Sequence, residues 1–423
     1  MFYCRETNTK KQVFRANIKS KKEEKVSKKF LAVGAILAAA VLVGQGAQAK
    51  TLEDILKEKG VITEADYKEV TKSKPLDYKL GKGFTFTSAD EKFQLSLGGR
   101  IQFGYSFLDK DGGQDTSKFD VPKARLIAQG YVFDKNLTYK MEFDPRQLAS
   151  SNTKGGLQDV FINYKIMDEL QFLVGQTKVK YAYSMIQSDA QLMFVNRVPW
   201  IGVFAPGYEL GAFAYGKFAG GIVDYAISGT NGDGQTNAAN TNHNAFAARV
   251  ALSPLGNMAM DEPDLAISKK PLFTVGANYF YNNLNDAENT SAYGGKWNNH
   301  SDLQNFGFDA HFKWMGLALQ GEALWAQGDK KDTGNGERAM GWYTQLGYNI
   351  TPKIGLAVRY SQYDPNRAVS GDLETEQIGA VSYYFEKHNL KIQADIGNIH
   401  KQVRATGARN DDMQYRLQAQ LVF

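Results

Sequence analysis

From residue 93 to residue 107 the chain alternates without a break. Phe93, Leu95, Leu97, Gly99, Ile101, Phe103, Tyr105 and Phe107 fall on one face of an extended ribbon. Gln94, Ser96, Gly98, Arg100, Gln102, Gly104 and Ser106 fall on the other. A period of two sends successive side chains to opposite sides of a strand, so this segment has one apolar and one polar face. The pattern recurs. Phe306, Phe308, Ala310, Phe312 and Trp314 stand against Asn305, Gly307, Asp309, His311 and Lys313. Trp342, Leu346, Tyr348 and Ile350 stand against Gln345, Gly347 and Asn349.

Turn signals divide the chain after residue 90 into sixteen such strands: 91–108, 118–133, 137–146, 156–166, 170–178, 207–217, 221–230, 243–252, 272–283, 302–315, 316–327, 337–349, 353–363, 373–386, 390–401 and 412–423. Short turns at Asp134-Lys135-Asn136, Met167-Asp168-Glu169 and Thr351-Pro352 alternate with long connections rich in Gly, Asn and Asp. The long ones are 109–117, 147–155, 231–242, 284–301, 328–336, 364–372 and 402–411. An even number of strands joined in this way is the plan of an outer-membrane barrel. The expected fold is all-β: a 16-stranded antiparallel transmembrane β-barrel over residues 83–423.

Composition agrees. The 41 glycines and 10 prolines suit sheets with tight turns. Beyond the leader no apolar run reaches the ~20 residues of a spanning helix. Alternating strands keep the mean hydropathy low, here −0.41. A soluble sandwich or propeller is the competing architecture, and three features disfavour it. The apolar face is aromatic near strand ends (Phe107, Trp314, Trp325, Tyr348, Tyr360), as in interfacial girdles. The other face carries ionisable groups even on middle strands. The final strand alternates back from Phe423 through Leu421, Ala419, Leu417 and Tyr415.

Two segments precede the barrel. Lys28-Lys29, the apolar run Phe30 to Val43 and Ala47-Gln48-Ala49 make a secretory signal peptide over residues 1–49, with cleavage expected after Ala49. An N-terminal anchor helix is the alternative. Residues 1–25 are long for such a leader and point to a true start near Val26. The leader holds 10 Lys and Arg and 3 acids; setting it aside from the chain's 50 basic and 45 acidic residues leaves 40 against 42. The net charge of +5 therefore belongs to the leader, and nucleic-acid binding loses its support. The one cysteine, Cys4, lies in the same piece, so the mature chain has no disulfide or thiol chemistry. Residues 50–82 are expected as a periplasmic helical segment and tether. Within it 51–70 form short helices, the first ended by Gly60, or a frayed linker, and Lys72–Leu80 form the tether.

Several segments in order resemble the phosphate-selective porin O and P family of Gram-negative outer membranes. They are Phe93–Gln102 (FQLSLGGRIQ), Ala124–Gly130 (ARLIAQG), Tyr139–Asp144 (YKMEFD), Gln158–Tyr164 (QDVFINY), Leu173–Lys178 (LVGQTK), Phe204–Gly211 (FAPGYELG) and Gln418–Phe423 (QAQLVF). The resemblance covers about 330 residues. It implies a sixteen-stranded porin in the outer membrane, among lipid and lipopolysaccharide, a homotrimer as a rule, often with a short periplasmic helical segment. It also implies that Phe423 is the signal read by the barrel-assembly machinery.

Sixteen strands leave room for a water channel, and selectivity then needs a constriction and charge on its wall. Residues 179–206 are the best candidate for a loop folded inward. Tyr181, Tyr183, Met185, Leu192, Met193, Phe194 and Trp200 are too apolar for an exposed loop, and Lys178, Lys180 and Arg197 face a single acid, Asp189. Packing at a trimer interface is the alternative. Alternation turns Arg100, Arg125, Lys140, Lys165, Arg249, Lys313, Arg359, Lys391 and Arg416 to the lumen, with Arg125 on a strand of ambiguous phase. Guanidinium forks suit oxyanions. The expected pore-lining, substrate-binding set is Arg100, Arg125, Lys178, Lys180, Tyr181, Tyr183, Arg197, Arg249, Arg359 and Arg416, and the expected solutes are small inorganic anions such as phosphate. Glu142, Asp144, Asp159, Asp309, Glu322 and Asp395 share that face. The wall is mixed, so the preference for phosphate rests on the family. A general diffusion porin with little anion selectivity, or a structural or adhesin barrel, stays open. No catalytic motif is present, and His243, His300, His311, His388 and His400 lack metal spacing. No enzyme activity and no cofactor is expected.

Overall fold

The computed structural model describes residues 56–61, 63–64, 76–146, 156–236, 244–284, 295–403 and 408–423. The signal peptide and most of 51–70 lie outside the described residues. What is described there is one helical turn at 56–58. Gly60 closes it at φ 67°, its N–H donating to Lys57 O, while Val61 N–H reaches back to Leu56 O.

A short hairpin, β1 (Leu76–Lys79) and β2 (Gly83–Thr87), leads into sixteen strands. They are β3 (Phe93–Asp109), β4 (Thr116–Val132), β5 (Asp134–Phe143), β6 (Leu157–Met167), β7 (Leu170–Lys178), β8 (Tyr208–Phe218), β9 (Val223–Thr230), β10 (Ala245–Leu252), β11 (Leu272–Asn283), β12 (Asp302–Trp314), β13 (Leu317–Asp329), β14 (Gly336–Thr351), β15 (Ile354–Asp364), β16 (Glu374–Glu386), β17 (Leu390–Val403) and β18 (Ala408–Val422). Each pairs antiparallel with the next. β18 returns to β3, with Arg416 opposite Ser106 and Leu421 opposite Ile101, so the sheet closes. Lipid offers no partner to a bare strand edge, and closure removes the edge. All sixteen expected strands are present. The last expected long loop is shorter than 402–411, because β17 and β18 pair out to Val403 and Ala408.

The seam holds a feature that alternation did not mark. β18 covers β3 only from Arg100 to Asp109. Phe423 exchanges two backbone hydrogen bonds with Gly99, at 2.7 and 3.0 Å, and β2 then takes over at Gln94 to Leu97. The hairpin thus continues the C-terminal strand across a chain break, and part of the expected tether is strand. A Cβ on Gly98 would stand 2.6 Å from Phe423 O, so the close approach depends on glycine there.

Exposure follows the alternation. Leu126, Val174, Phe308 and Val358 point outward, each more than half exposed, whereas Asn305, Gln345 and Ser361 point inward and are buried. Trp314 and Tyr348 stand on the outward face near the short-turn end, and Phe107, Trp325 and Tyr360 nearer the loop end. Apolar outside and polar inside inverts a soluble protein. The ambiguous phase of 118–133 has a local cause. Between Gln102 and Gly104 on β3, β4 spends one extra residue, at the bulge holding Val121 and Pro122. Past the bulge Arg125 lies opposite Arg100 and points inward.

Depth in the bilayer sets the cost of a charge on the outer face. Val358→Arg, between the girdles, lowers unfolding stability by about 2–4 kcal/mol, and Ile350→Arg, at the turn rim, by at most about 1 kcal/mol. Denaturant titrations in lipid vesicles check the difference.

Candidate functional site

The loop 179–206 folds into the barrel. Tyr181, Leu192, Met193, Phe194, Trp200 and Phe204 are buried inside it. There they build an apolar core of their own: Trp200 stacks near Tyr363 and packs edge-on against Phe204, while Tyr181 meets Phe280. Glycines on the wall make the space. A Cβ on Gly341 would stand 2.6 Å from the Trp200 ring, and one on Gly347 would overlap Met193. This is why a loop so rich in aromatics is stable away from lipid.

A loop in that position must also satisfy its own N–H and C=O groups. The polar lumen face does so. Glu322 accepts from Tyr183 N at 2.7 Å and Ser184 N at 3.2 Å, and Asp395 accepts from Val195 N at 2.9 Å. Asn305 donates to Phe204 O, Arg359 to Asn196 O, Lys391 and Gln393 to Leu192 O, and Gln420 to Ala190 O. The inward-pointing side chains of five strands, β12, β13, β15, β17 and β18, hold the loop as a ladder would.

The expected pore-lining cations fall into three groups, with Lys180 apart from them. Arg249 is clasped by Asp309 at 2.6 and 2.8 Å, Arg416 by Asp395 at 2.6 and 2.9 Å, and Arg359 by Glu376 at 2.9 Å and lies over the Phe194 ring. These face the lumen as expected but are neutralised. Lys178 and Arg197 both donate to backbone carbonyls at the C-terminal end of the one-turn helix Tyr183–Ile186. Lys178 takes Met185 O and Gln187 O, and Arg197 takes Ser184 O and Gln187 O. That carbonyl end favours cations. Tyr181 is fully buried, and Tyr183 lies over His311. Lys180 lies over the Tyr215 ring, 3.2 Å from its centroid.

Arg100 and Arg125 form the third group, and Lys123, unmarked by the sequence reading, joins them. All three converge on Asp189: Arg100 Nη1 at 2.7 Å, Arg125 Nη2 at 3.2 Å and Lys123 Nζ at 3.3 Å. Arg125 also bonds Glu142, which in turn takes Lys140 at 2.8 Å. Asp189 borders two open cavities. The larger, about 540 Å³, runs along β3 to β11 toward the short-turn end; the other, about 430 Å³, opens between β3, β4 and β16 to β18. The larger is lined by seven Lys and Arg side chains against four carboxylates, and the smaller by three against two. The loop fills the β12–β17 side, so the water path is off-centre.

A second insertion was missed in the sequence. Residues 253–271, between β10 and β11, enter from the short-turn end, and Glu262, Asp264 and Leu265 are buried. Lys313 donates to Asp261 at 2.7 Å, and His388 faces the same carboxylate at 3.6 Å. Burial pushes the His388 imidazole down to about 4. Against its own burial, the nearby His388 and the charge and hydrogen bond of Lys313 bring Asp261 down to about 2. The sequence signal was the length of this connection among short turns.

The profile of a family described as phosphate-selective porin O and P matches residues 95–423. An uncharacterized protein of Aquifex aeolicus (strain VF5) is 25% identical over 407 residues, 84% of this chain and 92% of that one. The anion-selective porin from Comamonas acidovorans superposes with a TM-score of 0.53 at 10% identity, over 77% of this chain and 99% of that one. The outer membrane channel DcaP of Acinetobacter baumannii does so at 0.52 and 13% identity, over 81% of this chain and 100% of that one. At such identities the likeness is one of fold.

Asp309→Asn leaves the buried Arg249 charge uncompensated and costs about 3–5 kcal/mol, whereas Arg249→Met with Asp309→Leu costs much less. Chemical-denaturation midpoints of the three proteins check this.

Proposed function

Since this chain belongs to the phosphate-selective porin O and P family, and so is a channel-forming porin of the Gram-negative outer membrane, we propose that it passes small inorganic anions, phosphate and other oxyanions among them, by passive diffusion. The observation that carries the reading is the cationic surplus along the larger cavity, which persists when Lys178 and Arg249 are set aside. A further support is Asp189, a carboxylate already seated among Arg100, Lys123 and Arg125. That cluster has the geometry to take an oxyanion in its place, because planar guanidinium forks bond carboxylate and phosphate oxygens alike. Weak, successive sites let an ion leave as readily as it enters. The proposed pore-lining residues are therefore Arg100, Arg125, Lys123, Lys140 and Lys180. Arg249, Arg359, Arg416, Lys178 and Arg197 hold the architecture.

A second reading, a general diffusion porin with little selectivity, is favoured by the pairing of Arg249, Arg359 and Arg416 with carboxylates. In either case the short connections face the periplasm, as in bacterial barrels, and chemistry at a catalytic site is not part of the role. We also assign a homotrimer. β9 and β10 have 8 residues each and β5 to β8 have 9 to 11, against 17 in β3 and β4. Eight tilted residues reach about 20 Å, short of the ~25 Å apolar band, so that low wall is better covered by a second protomer than by lipid. The rest of the outer face meets lipid and lipopolysaccharide, and Phe423 is offered to the assembly machinery.

The zero-current potential of the protein in planar bilayers under a KCl gradient tests the reading. Chloride is expected to outpace potassium, and added phosphate to reduce the chloride current. A cation-selective pore would overturn it. A unit charge about 4 Å from a passing ion in water is worth about 1 kcal/mol. Removing both charges in Arg100→Ala/Arg125→Ala therefore lowers the anion-to-cation permeability ratio at least roughly fivefold. Asp189→Asn raises the same ratio, read from the same potential.

A further inference from the structure

The other six connections at the short-turn end are one to four residues long; the one from β10 to β11 runs from 253 to 271. It is anchored at three levels. Its returning leg is tied to the β12–β13 turn, where Asp264 accepts from Gly316 N at 2.9 Å and Ser268 O accepts from Met315 N at 2.8 Å. Its middle is held by Lys313, which bonds Ala259 O, Asp261 O and the Asp261 carboxylate. Its tip meets the loop that has entered from the opposite mouth. Glu262 N donates to Gln191 O at 3.1 Å, Glu262 Oε2 accepts from Met193 N at 2.6 Å, and Gln187 donates to Met260 O at 2.9 Å. The other side of the same connection is open: Met258 and Met260 line the larger cavity, and Met260 is 44% exposed.

On the reading of this barrel as a channel, we propose that residues 253–271 are a second constriction element. Glu262 is its positioning residue: it fixes the 179–206 loop from below, and Met260 narrows the exit. The width of the passage is thus set from both mouths, and a change at either insert changes what passes. The contact to the loop is made by the carboxylate oxygen that receives Met193 N–H.

The test is single-channel conductance with liposome swelling in neutral sugars of rising size, on protein shown to be folded by its heat-modifiable gel mobility. Glu262→Ala frees the loop from below and is expected to raise conductance about twofold and admit larger sugars. Glu262→Gln keeps an acceptor for Met193 N–H and restores the wild-type cut-off. Met260→Trp adds bulk at an exposed position without touching the anchors and is expected to halve conductance, which keeps the question answerable should Glu262→Ala not fold. Wild-type conductance and cut-off in Met260→Trp and in folded Glu262→Ala would overturn the inference. A wild-type protein with no steady current would instead overturn the channel reading itself.

Discussion

Peptide groups placed inside a protein need partners, and the interior of this barrel is filled by two segments of irregular backbone. Neither has a ladder of its own. Both take hydrogen bonds from side chains that alternation turns inward, such as Glu322, Gln393, Asp395 and Gln420 for one and Lys313 for the other, and they bond each other where they meet. An unpartnered buried group costs about 1–3 kcal/mol, and more than ten such groups are at stake. The polar face of the wall is therefore the scaffold of the inserts before it is anything else. The same face would be required even if no ion ever passed.

That requirement shapes the electrostatics. A charge enlisted to hold backbone or a neighbouring charge is not free to meet a solute. Arg249, Arg359 and Arg416 are balanced by Asp309, Glu376 and Asp395, and only on the β3–β11 side does the surplus of cations meet open space. Buried pairs of this kind are weak sources of net stability, yet breaking one is expensive. They fix which way the loop lies, and with it where the passage runs. The Asp189 cluster differs because it sits where two cavities adjoin.

Much of this was legible in the chain. The number, order and facing of the sixteen strands follow from a period of two, and the inward course of 179–206 follows from its aromatics. Arg125 was uncertain because a bulge at Pro122 resets the phase within one strand. Strand β1 was read as part of a tether because four residues are too short to display a period. The insert 253–271 was passed over because its buried residues, Glu262 and Asp264 among them, are acidic and look like those of an exposed turn. Charged residues enter a lumen when partners wait there, and partners distant in sequence leave no local mark.

Sequence by itself determined the barrel: side-chain alternation is a local property of each strand, and an apolar outer face with paired edges admits one closure in a bilayer. It determined as well which cations face inward, save Lys123 and Arg125 beside the bulge of β4. Which of those cations stay available was decided by tertiary structure alone, because neutralisation depends on carboxylates brought near from other strands and loops. The meeting of Glu262 with Met193, 69 residues away along the chain, is of the same kind. Distance along the chain carries no information about distance in space until the sheet has closed.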